Sequence, residues 1–189
     1  MSILRISAFA LVMVLYLAYP YYLIYQQEAI LEQGTPYRLK LRPVDPVDAF
    51  RGRYLALNYN LPFFAKPEAL EQGQRVFLPV EEDSLGYTYF PELLLSPPSD
   101  GDYLKSEATY FTDDSVMVST PENLQRYYLN EQTAPLAEAA VQELATQLDG
   151  STEVRAYALV RVRKGEVRIE QLFFDGMPLR EYLEKEVRE

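Results

Sequence analysis

The reactive side chains of this sequence are carboxylates, guanidinium groups, amines, hydroxyls and phenols, because it contains neither Cys nor His. Disulfides, thiolate nucleophiles, zinc sites of the usual kind and every imidazole-dependent triad are thereby excluded. Asp45 and Asp48 stand three apart in the run PVDPVDAFRG, Pro43 to Gly52, where they could bind a cation or form an acid/base pair. An Asp beside a proline-bounded turn more commonly accepts hydrogen bonds from nearby backbone, so capping, or an ion pair with Arg42 or Arg51, is the favoured reading. Next come Arg51-Gly52-Arg53-Tyr54. Two guanidinium groups flanking a glycine could hold a carboxylate or phosphate, although the stronger expectation is that Gly52 shapes the entry to a strand. Glu81-Glu82-Asp83 and Asp100-Gly101-Asp102 contain calcium-type ligands without the spacing of a known loop, and read as solvated loop charge. A Ser-Lys dyad is the one nucleophilic arrangement left open, but no Ser lies between Pro43 and Gly52 and Lys is scarce. No cofactor or metal is expected.

A second cluster has the chemistry of recognition. Arg155, Tyr157, Arg161, Arg163 and Arg168 fall along two C-terminal strands of a chain with 16 tyrosines. Arg and Tyr are favoured anchors of protein interfaces, which makes these five a candidate partner patch.

The elements that must position these residues follow from periodicity. Val154 to Val162 alternates small apolar residues with Arg155, Tyr157, Leu159, Arg161 and Arg163, and Lys164-Gly165 offers a two-residue turn into Val167 to Phe174. This is a β-hairpin, and its register sets Arg163 opposite Glu166 and Arg161 opposite Arg168. Like charges directly opposite are destabilising. Two sources of relief are open: Glu181, Glu184, Glu186 and Glu189 folding back on a terminal helix, or an acidic loop of a partner. The segment Leu179 to Arg188 otherwise reads as a solvated helix or a frayed tail.

Upstream, Tyr37, Leu39 and Leu41 alternate with Arg38, Lys40 and Arg42, and Leu55, Leu57, Tyr59 and Leu61 alternate with Tyr54, Ala56, Asn58 and Asn60, so both segments read as half-buried strands. Further strands are expected at Arg75 to Val80, Tyr103 to Phe111 and Val116 to Ser119, with Pro-, Gly- and Asp-rich loops between them. One amphipathic helix follows Thr133, with Pro135 in its first turn, Leu136, Ala140, Val141, Leu144 and Leu148 at helical spacing, and Gly150 at its end. The fold class is α+β: an N-terminal transmembrane helix, then a mainly antiparallel β domain with one amphipathic helix and a C-terminal β-hairpin.

From Ile6 to Tyr25 the chain carries no charge, and roughly 20 residues at about 1.5 Å each cross a hydrocarbon layer of ~30 Å. Tyr16, Tyr19, Tyr21, Tyr22 and Tyr25 suit the interfacial belt at one end, and Pro20 is tolerated in such a span. The run exceeds a cleaved signal's apolar core and no convincing small-x-small site follows, so an anchor is expected. Arg5 precedes the span and Glu28 and Glu32 follow it, which places residues 1–5 in the cytoplasm, 6–25 in the bilayer, 26–35 as a linker and 36–189 as one extracytoplasmic domain. A helical extension, Gln26 to Gln33, should stop at Gly34. The net charge is −10, with 18 Lys+Arg against 28 Asp+Glu, which makes nucleic acid and anionic lipid poor partners for the domain surface.

Pro43-Val44-Asp45-Pro46, followed by Arg51-Gly52-Arg53-Tyr54-Leu55-Ala56-Leu57-Asn58-Tyr59, resembles the motif of the GDYXXLXY proteins. Gly52, Tyr54, Leu57 and Tyr59 fall on the motif positions, whereas Arg53 replaces the family's Asp, so no role of that carboxylate carries over. The likeness extends through Asn123 to Glu131 and to the terminal hairpin ending Asp175-Gly176. It implies a membrane-anchored bacterial protein of unassigned activity, of a kind often encoded beside multi-span membrane proteins, and it supplies no catalytic residues. The expected function is a binding or assembly module on the outer face of the inner membrane, with an integral membrane partner. The alternative is a carboxylate-dependent enzyme acting on envelope substrates.

Overall fold

The computed structural model describes residues 3–42, 54–59, 61–130, 133, 136–137, 140 and 156–186. Helix α1 (Ile3–Gln33) runs unbroken through Pro20. Leu, Tyr, Ala and Ile make up most of this stretch, which has no glycine, and Leu and Ala are strong helix formers. It stops where Gly34 N–H donates to the Ile30 carbonyl at 2.9 Å. Strand β1 (Thr35–Arg42) begins at the next residue.

The β domain is antiparallel throughout its described pairings and contains two main sheets. The larger has the order β13-β12-β11-β1-β3, made by β1, β3 (Asn58–Tyr59), β11 (Ala156–Arg163), β12 (Glu166–Phe174) and β13 (Met177–Pro178). The smaller has the order β4-β9-β8-β5, made by β4 (Phe64–Ala65), β5 (Arg75–Pro79), β8 (Tyr103–Phe111) and β9 (Ser115–Val118). Two ribbons complete the domain: β2 (Tyr54–Ala56) with β10 (Arg126–Tyr128), and β6 (Glu81–Glu82) with β7 (Thr88–Tyr89).

One core unites these layers: Leu39, Ala158, Val160, Val162, Leu172 and Phe174 from the larger sheet meet Val76, Leu78, Leu104 and Val116 from the smaller. From Ala158 every second residue along β11 is buried, as alternation requires. The sheets are also tied at the hairpin turn, where Lys105 N–H donates to the Gly165 carbonyl at 3.3 Å and its ammonium meets Glu166 at 2.8 Å.

The fold class read from the sequence is the one observed, and so is the hairpin register, Arg161 opposite Arg168 and Arg163 opposite Glu166. Three details differ. The run expected as one strand from Tyr54 to Leu61 divides, because β2 pairs with β10 whereas β3 pairs with β1. Short helix α2 (Glu122–Gln125) and the two- and three-residue strands carry too little periodicity to be read. The terminal segment is neither frayed nor solvated all round: helix α3 (Leu179–Glu186) buries Leu179, Tyr182 and Leu183, and Tyr182 meets Phe174 edge-on at 5.9 Å. Of the amphipathic helix, Leu136, Ala137 and Ala140 are helical, with both alanines buried; the rest lies outside the described residues.

Lys164 and Gly165 have φ of 52° and 80°, the left-handed pair a tight hairpin turn needs. A side chain at Gly165 would also run into the ring of Tyr103 and the Cε of Lys105. Gly165→Ala should therefore cost about 2–4 kcal/mol, strained backbone and overpacking together, in urea unfolding of the purified chain. An unchanged midpoint would mean that the turn does not fix the two sheets.

Candidate functional site

Pro43, Asp45, Pro46, Asp48, Arg51, Gly52 and Arg53 lie outside the described residues, so the motif is seen from Tyr54 onward. Its remaining residues stitch sheets together. Leu55, Leu57 and Tyr59 point into the core. Between the two short strands, Leu57 N–H donates to the Gln125 carbonyl at 2.9 Å. Tyr54 stays half-buried, its ring 6.0 Å from that of Tyr128 and under the guanidinium of Arg126 at 5.1 Å. Burial pushes the Tyr59 phenol far above its ordinary range, and its hydroxyl has no hydrogen-bond partner.

The arginine face of the hairpin is the second region. Strands β1, β11 and β12 set Arg38, Lys40, Tyr157, Leu159, Arg161, Arg163, Arg168 and Phe173 on the side away from Leu39, Ala158 and Val160. Here Tyr157 is stacked flat on Phe173, with centroids 4.8 Å apart, and meets the edge of Tyr87 at 5.8 Å. The Arg38 guanidinium lies 5.8 Å from the Tyr157 ring. Arg155 is outside the described residues, and Arg163 is half-buried opposite Glu166.

Relief of the Arg161–Arg168 opposition comes from within the hairpin and from α1. A β-bulge interrupts the ladder: Leu159 pairs with Gln171 and Val160 with Ile169, which leaves Glu170 as the extra residue. Its carboxylate accepts from Arg161 Nε at 2.6 Å, holding that guanidinium above its ordinary pKa. Arg161 also donates to the Gly34 carbonyl at 3.2 Å, while Arg168 donates to the Gln27 side chain. Burial pulls the Arg168 pKa down, with Glu166 opposing. The fold-back of terminal carboxylates expected from sequence is replaced, among the described residues, by these contacts, because α3 turns its apolar side to the sheet and pairs Glu184 with its own Arg180 at 3.3 Å. The bulge was missed in the sequence, although its signal is there: apolar Val167, Ile169, Leu172 and Phe174 are spaced two, three, two.

These contacts make α1 part of the domain. Ala29 and Ile30 are buried, and the helix end packs on β11 and β12. From Ser7 to Gln33 the helix is long and apolar enough to cross a membrane, and none of its apolar window is covered by protein.

Asp83 is more than solvated loop charge. One carboxylate oxygen accepts from the Leu85 and Tyr87 amides at 2.9 Å each, while the other accepts from the Lys40 ammonium at 3.0 Å. The aspartate thus caps the β6–β7 turn and ties it to β1, and Lys40 lies 4.8 Å over the Tyr87 ring. In Asp100-Gly101-Asp102, Asp102 accepts from the Tyr37 hydroxyl at 3.1 Å; burial first, and then this carboxylate, raise the Tyr37 pKa to about 12. Neither acidic run gathers a metal-ligand set among the described residues.

An antiparallel two-sheet α+β domain, grown directly from one helix of membrane-crossing length, defines the class of protein. The chain belongs to the GDYXXLXY protein family, whose model matches residues 16–172, from the tyrosine-rich half of α1 to Leu172 in β12. No curated protein and no solved structure matches it.

The Asp83 turn carries a pH signature. The Tyr87 amide and then the Lys40 ammonium hold its carboxyl below the ordinary carboxylate pKa of about 4. A lowered folded-state pKa adds stability that is present above that value and is lost as pH falls through the lower one. Asp83→Asn, which keeps one acceptor and removes the charge, should destabilise the chain at pH 7, and the gap from wild type should narrow as unfolding is followed to acid pH below about 4. A gap independent of pH would show that the charge plays no part.

Proposed function

We propose that this protein is a membrane-anchored binding or assembly module, held on the outer face of a bacterial inner membrane and docking with an integral membrane partner. The observation that carries the reading is the rigid junction of α1 with the sheet. Twenty-seven apolar-rich residues, Ser7–Gln33, extend roughly 40 Å, about two turns more than a ~30 Å hydrocarbon layer needs. Those surplus turns hold Gln27, Ala29 and Ile30, the residues docked on β11 and β12. The apolar run is longer than the core of a cleaved signal and no convincing small-x-small site follows it, which favours an anchor over a removed signal. A tether that only localises a domain works through a flexible linker. A docked helix instead holds one face of the domain at a set height and angle over the bilayer, which is useful for meeting another membrane-embedded surface. Arg5 before the span and Glu28 and Glu32 after it support an extracytoplasmic domain.

Two measurements test this. An alkaline phosphatase fused at Glu189 should be active; an inactive one, with a cytoplasmic reporter active at the same position, would reverse the orientation. Inserting a flexible Gly-Ser segment between Tyr25 and Gln26 leaves the docked turns on the domain and frees it from the span. The inserted chain should remain in membranes and unfold like wild type, yet lose the integral membrane protein recovered with wild type from native membranes. Equal recovery would show that the fixed geometry is not what the partner reads.

A further inference from the structure

Helix α1 crosses the larger sheet on its way to the apolar span, and the crossing decides which edge of the domain lies nearest that span. Just past the helix end, Gly34 accepts from Arg161 on β11 at 3.2 Å. Seven residues earlier, Gln27 accepts from Arg168, the cross-strand partner of Arg161 on β12. Followed toward its N-terminus, the helix therefore passes from β11 over β12 and leaves the sheet beyond that strand. Gln27 comes two positions after Tyr25, the last residue of the uncharged run, which is about 3 Å along the axis. With the run in the hydrocarbon, the Arg168 guanidinium stands at headgroup level, in the roughly 5–7 Å between hydrocarbon and water.

A cleft of about 470 Å³ opens at this edge, between β12 and the α2–β10 segment. Arg168 touches it from the outer face of the sheet and Ile169 from the inner one, and consecutive residues do so where a strand edge is open. Strand β13 covers only Phe173 and Phe174 of β12, so among the described residues no strand lies beside Arg168 and Ile169. The other wall holds Glu122, Arg126 and Tyr128, all three exposed. Among the described residues neither Arg126 nor Glu122 has an ion pair, and Arg126 lies over the Tyr54 ring at 5.1 Å. Arg168 has no carboxylate of its own, because Glu170 is held by Arg161 and Glu166 by Lys105. Its donors go to Gln27 and to the Val167 carbonyl.

Two guanidinium groups and one carboxylate around one space match a ligand that carries both a phosphate and an ammonium group. An exposed tyrosine suits the same depth. A purely anionic headgroup would face Glu122 and a chain of net charge −10, whereas a zwitterionic one meets neither repulsion. We propose that this cleft binds a phosphodiester lipid headgroup with a primary ammonium, as in phosphatidylethanolamine. The phosphate lies between Arg126 and Arg168, the ammonium lies against Glu122, and the acyl chains stay in the bilayer beside α1. The site rests on the membrane anchor proposed above, and on neither its orientation nor its partner. A second attachment away from the helix axis would restrain the tilt of the domain over the surface.

Native mass spectrometry of the full chain in detergent tests this, with phosphatidylethanolamine, phosphatidylglycerol and phosphatidylcholine of matched acyl chains added in equal amounts. Phosphatidylethanolamine adducts should exceed each of the others about fivefold, because glycerol brings no positive charge to Glu122 and choline brings no N–H. Arg126→Gln should lower binding of all three lipids about fivefold. Glu122→Gln should erase the preference for ethanolamine over glycerol while binding persists, a change of selectivity that lost packing would not produce. Thermal unfolding checks that each variant is folded, and if one is not, the other decides. Soluble glycerophosphoethanolamine at the lipid concentration should not displace the lipid; displacement would mean that the cleft takes a free headgroup, and would overturn its placement at the bilayer. Equal binding of the three lipids, or a folded variant with wild-type adducts, overturns the site and leaves the anchor standing. Release of the wild-type chain from membranes by alkaline carbonate overturns the anchor, and the site with it.

Discussion

Where α1 becomes β1, Gly34 sits so close to its surroundings that an added Cβ would run into the carbonyl of Ile30 and approach the Val162 carbonyl at 3.0 Å and the Arg161 Cβ at 3.1 Å. Only a residue without a side chain lets the helix end press against β11 while the chain swings into a strand paired with that same β11. Everything in the larger sheet inherits its position from this contact. Strand β1 is the shared neighbour of β11 and β3, so the motif strand is placed through β1, and the hairpin that supports the helix is placed on the other side. The helix therefore orients the sheet, and the sheet fixes the helix.

The charge arrangement on that side of the hairpin is understandable on the same terms. Two arginines directly opposite each other repel, and in an acidic chain a solvent-facing solution was available in any nearby glutamate. The fold instead uses a bulge, which adds Glu170 to the strand without a partner and lets its carboxylate reach Arg161. The remaining donors point at the helix end, where a carbonyl and an amide side chain take them. Carbonyls at a helix C-terminus carry partial negative charge, so guanidinium groups are well matched there. A cluster that on composition alone looks like an exposed recognition patch is, for Arg161 and Arg168, part of the joint between α1 and the sheet.

This difference marks where sequence reasoning reached and where it stopped. Alternation along Ala156–Arg163, a Lys-Gly turn and an uncharged N-terminal run each depend on neighbours within a few residues, and all were legible, including the cross-strand register next to the turn. The partners of Arg161 lie at positions 34 and 170, and those of Asp83 include Lys40, across separations that no local period encodes. The apolar side of α3 was written at Leu179, Tyr182 and Leu183, but five charged residues among its eight masked a stripe only three residues wide. The bulge was visible only as a change in step, from two to three, between Ile169 and Leu172.

The motif run is constrained twice, and this bears on why its residue types are what they are. Six residues, Tyr54 to Tyr59, must leave the β10 ribbon and enter the larger sheet, so neither half can build a long ladder, and side chains must supply what backbone pairing cannot. Leu55 and Leu57 do so by burial in the core, and Tyr54 by its edge contact with Tyr128 and the Arg126 guanidinium. At the last position a phenylalanine would fill the same volume without leaving a hydroxyl unpaired in the interior. Tyrosine there adds cost and no packing. Packing against the core therefore accounts for the ring of Tyr59 and not for its oxygen.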